Sequence, residues 1–308
     1  MSTTDNPTPP LLAAIIVNRN KKDYLLRAIE CAMNSGYEPL EITVVDDCST
    51  DGSPDAVRER FPQVHVVEET THAGATRVRN VGIDHVLQRA APKYFLFLDN
   101  DAFAARGAIG ELVKAAEQDA SVGIVVPKAF RSFESRVLYS AGDVRVNLFT
   151  GTFKDVGAGE PDRGQYDTPK SIGCCAAFAM LVRTEMLERI GLFDEAFYPY
   201  GWEDIDFALR TVRAGYRILY APTAEVEHLG GKTGRGAVAA YEQSKAKNLV
   251  VLMRKHAAPW HWAVFLTVLP LRALKLFAAQ LLRGEGKLCL AQIKGMVSIV
   301  MPGRRSKR

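Results

Sequence analysis

The first 127 residues repeat one pattern: a short apolar run, a polar cluster, then a stretch with helical spacing. "LLAAIIV" (11–17) reads as a buried strand, closed by Asn18-Arg19-Asn20. From Lys22 to about Asn34, Leu25, Leu26, Ile29 and Met33 recur on one helical face. "LEITVVDD" (40–47) is a second strand, ending in Asp46-Asp47, and "SPDAVRERF" opens a helix with Ser53 as N-cap and Pro54 at the first helical position. "VHVVEE" (64–69) is a third strand, 74–90 a helix, and 93–98 a fourth strand, closed by Asp99-Asn100-Asp101. A helix near 107–118 and the strand "VGIVVP" follow. Strands separated by helices need crossover connections, so the pattern predicts an α/β fold with a doubly wound, mainly parallel sheet. Ligands of such sheets sit at the carboxyl ends of the strands. Three strands here end there in polar clusters.

The second half is less regular. Residues 136–156 read as hairpin material with Gly142 and Gly151 at turns, and "CAAFAMLVR" (175–183) as a buried strand. "GWEDIDFALRTVRAG" enters a helix stopped by Gly215. No internal repeat is present. No G-x-G-x-x-G follows the first strand and no G-x-x-x-x-G-K-[ST] occurs, which weighs against dinucleotide and P-loop enzymes.

Charge is unevenly spread. From Arg254 onward eleven basic residues stand against one acid, Glu285, whereas the first 253 residues carry 28 basic and 34 acidic side chains. An acidic body argues against nucleic acid as a partner, and the basic tail suits an anionic surface. Within the tail, 257–282 is the most hydrophobic stretch, but its uninterrupted core, Trp262 to Leu271, is shorter than the roughly 20 residues a membrane span needs. A helix lying in a membrane interface, with paired tryptophans and basic residues, is expected; a buried amphipathic helix is the alternative. Five cysteines without a C-x-x-C spacing point to a reducing compartment, and "MSTTDNPTPP" reads as a disordered leader without the apolar core of a signal peptide.

The residue types at the strand ends suggest chemistry. Asp99 and Asp101, one residue apart after a buried strand, suit a divalent cation held against a phosphate, although Asp and Asn also end strands as turn formers. Asp46 and Asp47 stand where a carboxylate accepts from a base N–H or a ribose hydroxyl. Glu203, Asp204 and Asp206 crowd the start of a helix, where the dipole favours acids; beside Gly201 and Trp202 they also suggest a pocket wall with a carboxylate able to take a hydroxyl proton. His228, next to a glycine-rich loop, is a structural histidine or a metal ligand.

Together, "IIVNRNKKDYLLRAI", "VVDDCSTDGS", "RVRNVGI", "FLFLDNDAFA", "AMLVRTEMLERIGLFDEAFY" and "GWEDIDFALR" occur in one order over about residues 11–255. This series resembles family 2 of the glycosyltransferases, and is most similar to the branch with rhamnosyltransferases and other cell-surface polysaccharide or glycolipid enzymes. The resemblance implies a GT-A fold over 11–255, with a nucleotide-binding half (11–127) and an acceptor-binding half (128–255). Residues 1–10 would be a leader and 256–308 a basic amphipathic extension.

It implies an inverting transfer from a UDP-, dTDP- or GDP-linked sugar to a glycan or lipid-linked acceptor, dependent on Mg²⁺ or Mn²⁺, in a cytoplasmic protein peripheral to the inner face of the cell membrane. Residue by residue, it implies that Asn18 and Arg19 line the nucleotide, with Asn100 beside them. Asp47 would bond the pyrimidine. Arg79, with Arg77 as competitor, would meet the base or phosphates. Asp99 would reach the ribose or the metal, Asp101 and His228 would ligate the metal, and Asp204, ahead of Glu203, would be the base. Arg19 departs from the family, whose members often carry an aromatic there. Two readings compete: a nucleotidyltransferase, disfavoured because "VNRNKKDY" lacks a glycine-rich loop, and a non-catalytic sugar-nucleotide-binding protein at the membrane.

Overall fold

The computed structural model describes residues 8–230 and 235–282, together with 290, 292 and 294. The expected leader up to residue 7, Cys289 and the basic end of the tail (304–308) lie outside the described residues.

The first half forms β1 (Leu12–Asn18), α1 (Lys22–Met33), β2 (Leu40–Asp47), α2 (Ser53–Arg60), β3 (His65–Glu69), α3 (Gly74–Leu87) and β4 (Tyr94–Asp99), close to the predicted spans. β5 (Ala102–Ala104), α4 (Ala108–Glu117) and β6 (Val122–Ser132) follow. The second half contributes β7 (Val137–Ser140), β8 (Val144–Asn147), β9 (Thr152–Asp155), β10 (Lys170–Ile172), β11 (Ala179–Arg183), α5 (Thr184–Ile190), α6 (Glu203–Arg213), β12 (Arg217–His228), α7 (Arg235–His256) and α8 (Pro259–Leu282).

One sheet runs in the order β10-β12-β6-β11-β4-β1-β2-β3, with β5 added to β12 and β7 to β6, while β8 and β9 make a separate hairpin. β3, β2, β1 and β4 are parallel, as are β6 and β12, but β11 lies antiparallel between β4 and β6. Successive β1 residues point to opposite faces, and both faces are covered. Leu12, Ala14 and Ile16 pack with Leu25, Ile29 and Leu112, and Ala13 and Ile15 with Val78, Ile83 and Phe207. Burial on both sides is why this strand reads as an unbroken apolar run.

Register fixes the working edge. Asn18 lies opposite Asp46, and Val17 opposite Asp99, so β1, β2 and β4 deliver their polar ends to one place. The loops beyond are laced by side chains. Ser49 Oγ accepts from the Asn20 amide at 2.8 Å, and Asn20 Oδ1 from the Thr50 amide at 2.7 Å. Asp51 accepts from the first amides of two helices, Lys22 at 2.9 Å and Ser53 at 3.0 Å. The cap of α2 therefore differs from expectation. Gly52, at φ 76°, occupies the N-cap position, Ser53 is already helical, and the capping oxygen comes from Asp51.

Two further differences concern the strands. β11 begins only at Ala179, and the preceding Ala176, Ala177 and Phe178 line a cleft, with the Phe178 carbonyl accepting from the Asp99 amide at 2.9 Å. β12 was not read from the sequence, since Pro222 and a register shift between Ala221 and Glu225 interrupt it. It nonetheless pairs with β6 and then β5, placing His228 opposite Ala102.

In α8, Phe265 is buried against Leu249 and Met253, while Trp260 (64% exposed) and Leu271 (68%) face outward. Among the described residues no helix is long and apolar enough to cross a membrane.

Candidate active site

A cleft of about 750 Å³ opens at the carboxyl ends of β1, β2 and β4. Asn18, Arg19, Asp47, Arg79, Asp99, Asn100, Asp101, Glu203, Asp204 and His228 all line it. The fold thus gathers residues up to 210 positions apart in the chain.

Its floor is a polar lattice. Asn18 Nδ2 donates to Asp46 Oδ1 at 2.8 Å, and Asn18 Oδ1 accepts from Asn100 Nδ2 at 2.8 Å. Asp46 also accepts from the Ser49 amide and hydroxyl, each at 2.7 Å, and does not line the cleft. Asp47 does. Its carboxylate accepts from the amides of Ala73 (2.6 Å) and Gly74 (3.2 Å) and lies 2.6 Å from His72 Nδ1, closing the loop that leads into α3. Gly74 has φ +81°, and a Cβ there would lie 2.3 Å from the Pro199 carbonyl oxygen, so only glycine fits. Arg19 reaches Asp47 loosely, at 3.7 Å, with nearly half its side chain exposed.

Of the two candidate arginines, Arg79 belongs to the cleft. It is buried, and its guanidinium spans from Asp99 (3.2 Å) to Glu203 (3.0 Å). Arg77 is half exposed, 3.8 Å from Glu69, and lines a smaller adjacent cavity.

At one corner, oxygens of Asp99 and Asp101 and a ring nitrogen of His228 lie within 4.8 Å of one another. His228 Nε2 is 3.2 Å from Asp101 Oδ1, and its ring stacks on Phe178 (4.5 Å between centroids) with Tyr139 edge-on (4.3 Å). Nδ1 is buried without a hydrogen-bond partner among the described residues, so Nε2 is the nitrogen presented to the carboxylates. Two carboxylates and one imidazole fit a divalent cation such as Mg²⁺ or Mn²⁺. Burial raises the pKa of Asp101, but hydrogen bonds from His228 and Lys21 outweigh it and bring the carboxyl down to about 2.

The opposite wall is the start of α6. Gly201 (φ 102°) and Trp202 (φ 70°) are both left-handed and turn the chain sharply into Glu203. Glu203 is fully engaged: one oxygen accepts from Arg79, the other from the Gly201 amide at 2.6 Å. Among the described residues Asp204 accepts only from backbone, including the Ile205 amide at 2.8 Å. Desolvation in the cleft wall and the charge of Glu203 push it up to about 7, despite the opposing pull of Arg79. Of the two acids, Asp204 is the one whose carboxylate no side chain occupies among the described residues. The third acid of the motif, Asp206, faces away. It is fully buried and pairs with His256 (2.7 Å), Lys255 (2.8 Å) and Arg210 (2.9 Å), tying α6 to α7.

Several cleft residues went unread in the sequence. Lys21 Nζ lies 2.7 Å from Asp101, and its position three residues beyond Asn18 was the available signal. Asp155 and Phe153, on the hairpin, carry no motif. Phe153 lies 4.1 Å from the Trp202 ring, and burial raises the pKa of Asp155. Lys245 of α7 places Nζ 4.6 Å over Trp202 and accepts from Trp202 Nε1 through its carbonyl at 2.8 Å.

The fold is shared with solved glycosyltransferases. A mannosyltransferase from Pyrobaculum calidifontis, solved with GDP-Man and Mn²⁺, superposes with TM-score 0.60 at 21% identity, over 96% of this chain and 88% of that one. GalNAc-T7, solved with UDP, GalNAc and Mn²⁺, gives TM-score 0.64 at 16% identity, over 83% of this chain and 49% of that one. In sequence, the chain is 24% identical over 268 residues to N-acetylglucosaminyl-diphospho-decaprenol L-rhamnosyltransferase of Mycobacterium tuberculosis, covering 81% of this chain and 86% of the relative. It is 34% identical over 95 residues to the putative teichuronic acid biosynthesis glycosyltransferase TuaG of Bacillus subtilis, over 30% of this chain and 36% of that protein. The family model for glycosyl transferase family 2 matches residues 13–191. With that match spanning more than half of its length, the chain belongs to glycosyl transferase family 2.

Proposed function

We propose that this glycosyltransferase moves a sugar, with inversion, from a nucleotide-diphospho-sugar to a hydroxyl of a glycan or lipid-linked acceptor in cell-surface polysaccharide or glycolipid synthesis. The observation that carries the reading is Asp204. Burial and the charge of Glu203 push its pKa up to about 7, and among the described residues it has no side-chain hydrogen-bond partner, in the same cleft as the Asp99–Asp101–His228 corner. A base working near pH 7 is most effective with a pKa near that value.

In this reading Asn18, Arg19 and Asp47 hold the nucleoside, and Asp99 the ribose side of the cation corner. Mg²⁺ or Mn²⁺, held by Asp101 and His228, supplies neutralisation of the charge that builds on the departing diphosphate. Asp204 takes the acceptor hydroxyl proton as that oxygen bonds to the anomeric carbon. The bond from that carbon to the diphosphate oxygen breaks, and its electron pair leaves with the nucleoside diphosphate. The acceptor lies toward Trp202, Phe153 and Lys245. A lipid-linked acceptor is supported by the relatives that act on diphosphate-linked lipids. It also accords with the outward apolar residues of α8, Trp260, Leu266, Leu271 and Leu274, which suit contact with an anionic membrane surface at the inner face of the cell membrane.

The test is a thermal-shift screen of UDP-, dTDP- and GDP-sugars with Mn²⁺, followed by turnover of Asp204→Asn on the best donor. Donor-dependent stabilisation kept by the variant, with transfer lost, is the expected result. Near-normal turnover by Asp204→Asn overturns the assignment of the base.

A further inference from the structure

Both carboxylates of the cation corner already hold a protein cation. Asp99 pairs with Arg79 at 3.2 Å and Asp101 with Lys21 at 2.7 Å. The two cations differ in freedom. The Arg79 side chain is 6% exposed and clamped to Glu203 as well, whereas that of Lys21 is 29% exposed. The backbone of Lys21 is fixed as the N-cap residue of α1, followed by the Lys22 amide bonded to Asp51, so only the four-carbon stem can move. No other acceptor bonds Nζ among the described residues, and the Tyr24 ring centroid lies 5.9 Å from it. A divalent cation entering this corner alone has to bind within reach of that ammonium and compete with it for Asp101.

We propose that Lys21 is the exchangeable cation of the corner: it holds Asp101 while the donor is absent and passes to the donor's diphosphate when nucleotide and divalent cation enter together. The exchange moves one ammonium from one oxyanion to another and leaves its charge compensated at both ends, since the incoming cation replaces it on Asp101. Arg79 stays where it is. The donor-free protein therefore binds the cation weakly, and nucleoside diphosphate and cation bind with strong mutual enhancement, because each removes the other's electrostatic obstacle. The proposal rests on the cation-dependent reading of the site given above.

The test is calorimetric titration of MnCl₂ into the full chain, alone and with UDP, dTDP or GDP, for wild type, Lys21→Met and Lys21→Gln, with circular dichroism to select a folded variant. The expected result is that removing the ammonium tightens Mn²⁺ binding to the nucleotide-free protein by roughly tenfold and weakens nucleoside diphosphate binding in the presence of Mn²⁺ by a similar factor. The enhancement between the two ligands shrinks accordingly. If both variants bind Mn²⁺ no more tightly than wild type, Lys21 does not guard the corner and the proposal fails while cation binding stands. If wild type and variants bind no Mn²⁺ even with nucleotide, the cation-dependent reading fails and takes this one with it.

Discussion

Arg79 and Glu203, 124 residues apart in the chain, meet at 3.0 Å in the cleft, and the same guanidinium reaches Asp99 at 3.2 Å on the other wall. One buried side chain thus joins the strand end that carries the cation corner to the helix start that carries Asp204. Removing it strands Glu203, which is buried with no other cation in contact among the described residues. Breaking a buried pair in this way costs about 3–5 kcal/mol. We expect Arg79→Ala to lower stability by that order in urea unfolding. Arg79→Lys, which keeps the charge but loses the fork, should recover only part of it. A loss below about 0.5 kcal/mol for Arg79→Ala, the range of an ordinary surface substitution, would contradict a clamp.

Asp204 should set the acid limb of the pH profile. With its pKa raised to about 7, the fraction of active carboxylate falls as the pH drops below neutrality, and kcat should fall roughly tenfold per pH unit there. The same shift has a stability signature. Between about pH 4 and pH 7 the folded protein keeps a proton that the unfolded chain has released, so stability declines as pH rises through that window. Asp204→Asn removes this loss. The variant should melt a few degrees above wild type at pH 8 and converge with it near pH 4. A variant that melts lower than wild type at pH 8 contradicts the raised pKa.

Asp206 should behave in the opposite sense. Burial raises its pKa, but the hydrogen bonds from His256 and Lys255 and the charge of Arg210 dominate and bring it to about 2 from 3.8. The stabilisation is present above about pH 4 and lost as pH falls toward 2. Asp206→Asn should cost roughly 2 kcal/mol at neutral pH, with the difference narrowing below pH 4. A pH-independent difference in urea midpoint would assign the effect to packing instead.

The α8 face has its own measurement. Trp260, Leu266, Leu271 and Leu274 are each more than half exposed. Flotation with vesicles containing anionic lipid should carry the full chain upward at low salt, and less at high salt as charges are screened. Removal of residues 257–308 should abolish flotation. Equal flotation of both forms removes the tail from membrane contact.

The legible part of this protein was the part whose chemistry and pattern coincide. Parallel strands buried on both faces announce themselves as apolar runs, and their polar ends, Asn18, Asp47 and Asp99, mark the site because the sheet has nowhere else to put them. Asp204 was legible for a related reason: acids at a helix start behind Gly201-Trp202 signal a turn into a wall. β12 was hidden by Pro222, so His228 could be singled out by type but not by place. Phe153 and Lys245 carry no sequence signal, because their place in the cleft arises only from contacts between distant segments, whereas Lys21 is marked only by standing three residues beyond Asn18. Asp206 shares the helix start with Glu203 and Asp204, and only the positions of His256, Lys255 and Arg210 reveal it as a buried anchor.

β6 runs without a break from Val122 to Ser132, through the point at 127/128 where the chain was expected to divide into donor and acceptor halves. On one side it pairs with β12 and on the other with β11, which in turn completes the edge of β4. A fragment ending at 127 would leave β4 with a bare edge of four apolar positions, Phe95 to Leu98, open to any passing strand. The segments before and after residue 127 therefore cannot be exchanged with those of a relative by cutting at that seam. Recombination has to carry β6, β11 and β12 together, or be confined to the β8–β9 hairpin, which forms a two-stranded sheet of its own.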